Sequence, residues 1–143
     1  MPKASQPQWQ PISMLPTIAT HIDGMLEAAQ EQYQTLLSAK AKPHVLDDYT
    51  VNRVKKVFVE QQKDLWLFDE QLHRWRAEEL TMTQRAAIER LTRQMRNLHE
   101  AMNAILALAD ELKEDTIEKV LAKGDAKRGL EMLVQLWKHE QEG

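Results

Sequence analysis

From residue 15 onward, apolar side chains recur three and four positions apart. In the first such stretch they are Leu15, Ile18, Ile22, Met25, Ala29, Leu36 and Ala39, with Gln32 filling one slot. Each residue of an α-helix turns about 100° around the axis, so alternating steps of three and four keep one stripe on one side. The spacing predicts a helix over 16–41. Pro16 suits a first turn, where the missing N–H has no helical partner to lose, and Pro43 stops the run.

A second stripe follows: Val51, Val54, Phe58, Gln61, Leu65, Phe68, Leu72 and Trp75. Its entry is marked by Asp47, a side chain able to accept from free amides, with Leu46 and Val51 at the two positions of a hydrophobic staple. This predicts a helix over 48–80, a rod of roughly 50 Å. In the turn "LTMTQ", Thr81-x-x-Gln84 fits a capping box and Thr83 is a competing cap. Beyond it Ile88, Leu91, Met95, Leu98, Met102, Ile105, Ala109 and Leu112 predict a helix over 83–113.

The last stretch reads as a short pair. Asp115-x-x-Glu118 resembles a cap, Gly124 a left-handed stop and Asp125 a new cap, giving helices over 116–123 and 126–139. Leu130, Leu133, Val134 and Trp137 share one face of the second. Residues 1–14, rich in Pro, Gln and Ser, show no period and read as a flexible arm, with Trp9 the one residue suited to dock on the body. The expected fold is therefore all-α: an antiparallel bundle of three long helices plus a short C-terminal helical pair, in a single domain over 15–143. A four-helix arrangement requires another chain to donate a helix.

Two faces exceed what one seam can bury. Leu65, Trp66, Leu67 and Phe68 go all the way round the second helix. With Leu65 at zero, the stripe centres near about 340°, Val59 and Trp66 fall near about 120° and 100°, and Leu67 near about 200°. One reading makes this the central helix, touching the first, the third and the C-terminal pair. The other has part of the face seat a second copy or a protein partner, because Trp is enriched at the centres of contact surfaces. The final helix poses the same choice between a lid on the bundle and an arm to another subunit. The candidate partner-binding residues are Val59, Trp66, Leu67, Leu133 and Trp137. Met25, Met95 and Met102 sit at seam positions and read as core.

The strongest chemical motif is Glu70-x-x-His73, half of the ligand set of a carboxylate-bridged di-metal bundle. Such sites need inward-facing acids from all four helices and a second Glu-x-x-His, and no second copy exists in the sequence. On the same wheel His73 lies about 100° and Glu70 about 160° from the stripe centre. They read as a solvated pair, and a ferritin-like metal-binding bundle using Glu70 and His73 is kept as the alternative. His21, His44, His99 and His139 do not repeat at metal-ligand spacing. With 4 Gly, none grouped, there is no phosphate loop, and with no Cys there is neither a disulfide framework nor thiol chemistry.

Charge changes this picture little. The chain carries −3 overall, yet residues 50–96 hold 10 basic against 7 acidic groups. Arg85, Arg93 and Arg96 are interleaved with Glu89 and Glu100, so a nucleic-acid-associated regulator using 50–96 is a second alternative and not the preferred reading. The N-terminal stretch lacks the apolar run of a signal peptide, and nothing approaches about 18 consecutive apolar residues. The expectation is a cytoplasmic, non-catalytic interaction protein of adapter, regulator or chaperone type. It needs no cofactor and no membrane, and it presents apolar helix faces to itself as a homodimer or to a protein partner. No motif identifies a family.

Overall fold

The computed structural model describes residues 7–42, 46–114 and 116–142. A 3-10 turn at Ile12–Met14 leads into α1 (Leu15–Lys40), followed by α2 (Asp48–Arg76), α3 (Met82–Lys113) and α4 (Ile117–Glu142). No strand occurs among the described residues. The all-α bundle is thus present, and the entry signals of its long helices work as the sequence implies. Asp47 Oδ1 accepts from the Thr50 amide at 2.8 Å. At Thr81 the reciprocal box is complete: the Gln84 amide donates to Thr81 Oγ1 at 3.1 Å, and the Thr81 amide donates to Gln84 Oε1 at 2.9 Å.

That box explains why α2 stops at Arg76 and not at residue 80. Thr81 needs an extended backbone (φ −67°, ψ 161°) to cap α3. The chain leaves the helix before it, and the last turn of α2 tightens, with the Ala77 and Glu78 amides bonded to the Arg74 and Trp75 carbonyls.

Cross-helix pairs give the directions. Asp23 meets Arg90 and Lys40 meets Glu111, so α1 and α3 run parallel. Arg76 meets Thr92, Asp69 meets His99 and Lys55 meets Asp110, so α2 runs antiparallel to both. The topology is up-down-up.

The centre of the bundle is α3, which corrects the expectation that the second helix is central. Both α1 and α2 pack along α3 and not along each other. The predicted stripe of α3 is entirely buried and is widened by Leu108, with Ala87, Ala101 and Leu106 partly covered. One helix can serve two neighbours only with such a broad apolar face. Against it α2 buries Val51, Phe58, Leu65, Leu72 and Trp75, while α1 buries Leu15, Ile22, Leu26, Ala29 and Leu36. Four of these α1 residues belong to the predicted seam; Leu26 joins them, and Met25 is only partly covered.

The C-terminal pair is a single helix. Ile117–Glu142 runs unbroken through Gly124, whose backbone does not enter the left-handed region. A mid-helix Gly costs about 1 kcal/mol relative to Ala. Stopping and restarting would instead leave up to four amides and four carbonyls without helical partners, so continuing is the cheaper course where no packing forces a turn. Nor is this helix a lid, since residues 127–138 are all exposed. Its root is fixed by Thr116, which is fully buried and donates to Asp48 Oδ1 at 2.7 Å.

Candidate functional site

Because α1 and α2 straddle α3, a groove of about 1130 Å³ lies between them. Its α1 wall includes Ile18, His21, Gly24 and Met25; its α2 wall includes Phe58, Asp64 and Phe68. Here the two predicted stripes divide. Positions facing α3 are dry, whereas Ile18, Met25 and Phe68 are only partly covered and Gln61 is exposed. The His21 ring stacks on Phe68 across the groove, centroids 5.4 Å apart and planes 17° from parallel. Gly24 leaves a gap in the α1 wall, for a Cβ there would meet nothing within 4 Å. Asp64 is the one carboxylate among the lining residues.

Beyond the bundle α4 carries a second unfilled apolar surface. Leu130, Leu133 and Trp137 are 63%, 65% and 62% exposed, and Val134 is 39% exposed. Single exposed apolar residues are ordinary on a protein surface, but a grouped set on one helix face is not.

The five residues singled out from sequence do not form one surface. Leu133 and Trp137 stand on α4, which does not pack along α2. Val59 is 37% exposed and Leu67 half-buried. Trp66 is 52% exposed and meets Trp9 of the arm edge-on, ring centroids 6.3 Å apart. Arg74 lies over the other ring, 4.4 Å from the Trp9 centroid. The arm is further held by Gln10: its amide donates to Gln71 Oε1 at 2.7 Å, and its carbonyl accepts from Trp75 Nε1 at 2.9 Å. Within its described part, then, the N-terminal arm is tied down, and the Trp66 face is partly occupied by the chain's own Trp9. Residues 1–6 lie outside the described residues.

Glu70 and His73 do not converge. Glu70 pairs with Arg74 at 3.2 Å and His73 is exposed. No group of three or more His, Cys, Asp or Glu suited to a metal ion occurs among the described residues. His99 is instead bound to Asp69 Oδ2 at 2.7 Å, tying α3 to α2.

Several cations of the 50–96 segment face acids. Arg90 makes a two-pronged contact with Asp23, both distances 3.0 Å. The Arg90 hydrogen bond, seconded by Gln94 and by the charge itself, holds the Asp23 carboxyl below its ordinary value despite partial desolvation. Arg76 donates to Thr92 at 2.6 Å and lies 3.3 Å from Glu89 without the alignment of a hydrogen bond. No helix among the described residues is long and apolar enough to cross a membrane.

The groove itself was missed in the sequence. Its signal was the conflict within "IATHIDGMLEAA": Ile18 and Met25 on one line, Ile22 and Leu26 on another, with Gly24 between them. Searched against protein-family models, curated proteins and solved structures, the chain finds no match in any of the three.

Proposed function

We propose that this chain is a non-catalytic interaction protein whose working surface is the α1/α2 groove, a seat for an amphipathic helix. The observation that carries this reading is the division of the two stripes. Most of each stripe is buried on α3, and the partly covered Ile18, Met25 and Phe68, with exposed Gln61, are left lining a trough open to solvent. Small-molecule sites enclose about 300–1,000 Å³ and converge a few placed polar groups on the ligand. This trough is larger, and its lining is mostly apolar with Asp64 and His21 as its charged or titratable members. A helix laid in a groove is recognised through such a surface.

The test uses the full chain with a photoreactive amino acid at position 18, where Ile18 is half-exposed at the groove wall. After irradiation at near-native concentration, mapped cross-links should fall on an amphipathic helix, whichever molecule carries it. Reaction with water alone, with no peptide trapped, would refute the reading.

A further inference from the structure

We infer that the helix seated in this groove is α4 of a second copy of the chain, exchanged reciprocally so that each subunit completes the other's four-helix bundle. The inference rests on the reading of the groove as a helix seat and adds the identity of the occupant. One chain carries both a three-helix bundle with an unfilled trough and a helix with an uncovered apolar face. Leu130, Leu133, Val134 and Trp137 are spaced i, i+3, i+4 and i+7, the anchor pattern by which a helix lies in a groove. These anchors span roughly 10 Å, while the lining stretch of α1, residues 17–29, spans roughly 18 Å. The length fits.

Charge points the same way. The lining of the groove holds no Lys or Arg, and its one carboxylate is Asp64 on the α2 wall. On α4 the exposed charges over residues 127–138 are Lys127, Arg128 and Lys138 against Glu131. Over its whole length α4 is charge-balanced, but the anchor stretch 127–138 leans basic and would meet a trough with one acid and no Lys or Arg.

Area suffices as well. Four anchors carry roughly 100 Å² each of apolar surface. Counting the smaller accessible area of the groove itself and both reciprocal junctions, the exchange hides roughly 1,300 Å², within the range of a specific, stable interface. Exchange also obeys the symmetry of a two-fold dimer, in which the same two patches meet twice. The part-buried Thr116–Asp48 contact roots α4 at the start of α2, and from there α4 extends roughly 39 Å over its length, enough to reach a neighbour.

The experiment is sedimentation and light scattering of the full chain over a concentration series, with two variants. Gly24→Trp places an indole in the open gap of the groove wall and leaves α4 intact. Leu133→Glu spoils the α4 face and leaves the groove intact; its side chain is exposed, so the bundle keeps its core. Wild type is expected at twice 16.6 kDa. Each variant, with the α1–α3 bundle intact by hydrogen exchange, is expected at the single-chain mass, its dissociation constant raised at least tenfold. Mixing the two is expected to restore dimers, because the pair keeps one intact groove and one intact α4.

A wild type of single-chain mass at every concentration overturns the exchange, as does a dimer unaffected by both variants. The position-18 cross-link then separates the two claims. Trapping of the chain's own α4 or of a foreign helix removes the second copy and keeps the groove. Trapping of nothing removes both.

Discussion

At the scale of single residues, the acid–base behaviour of the fold is concentrated where carboxylates hold helices. Asp23 is depressed first by its hydrogen bond from Arg90, and Asp47 by its bonds from Thr50 at the α2 cap. A folded-state value below the unfolded one means that the unfolded chain binds more protons over the interval between them. The stabilisation is therefore complete above the unfolded Asp value of about 3.9 and is lost as pH falls through the lower folded value. Both side chains of the Asp23–Arg90 pair are more than 40% exposed, so solvent screening limits the contribution to about 0.5–1 kcal/mol. Asp23→Asn is expected to lower the unfolding free energy from urea denaturation at pH 7 by that amount, and the gap from wild type should close as pH falls through the lowered Asp23 value. A gap independent of pH would mean that the charge is not the cause. Gly24 makes the opposite prediction: its Cβ position is open and the site is mid-helix, so Gly24→Ala is expected to stabilise the fold by about 0.5–1 kcal/mol, read as a higher thermal midpoint.

At the scale of elements, legibility followed how many surfaces a helix serves. The α3 stripe was readable residue by residue because every member faces the same dry interior, and the Thr81 and Asp47 caps were readable because they are local chemistry. The burial of Leu26 ahead of Met25 was not readable, since both are apolar and only the position of α3 decides between them. Gly124 misled for a related reason: a stop signal acts when tertiary packing rewards a turn, and the residues that follow it, 127–138, are exposed. The arm shows the converse, an aperiodic segment fixed by side chains. Trp9 on Trp66 is an edge-on aromatic pair with Arg74 on the other side. A double-mutant cycle over Trp9→Ala and Trp66→Ala is expected to give a coupling of about 0.5–1.5 kcal/mol. A coupling indistinguishable from zero would show that the arm is held by Gln10 and the Arg74–Trp9 contact without the ring pair.

At the scale of the whole molecule, the helices differ in what protects them. Bundle helices α1 and α2 share their burial with α3, whereas residues 127–138 of α4 are exposed and Thr116 is the buried residue at its root. Local opening free energies range from near zero for unpacked segments to the global value for core elements. Hydrogen exchange on dilute protein is therefore expected to rank the middle of α3, around Met95–Ile105, slowest, and residues 127–138 of α4 fastest among the helices. An isolated helix of this length is marginal in water, and its two internal glycines weaken it further. Raising the concentration shifts mass toward the associated state, which stabilises whatever that state buries. If α4 is exchanged between chains, its protection should climb with concentration together with that of the groove walls, residues 17–29 and 58–68, while the α3 interior changes last. Slow exchange of α4 at the lowest measurable concentration would instead assign it a seat within its own chain.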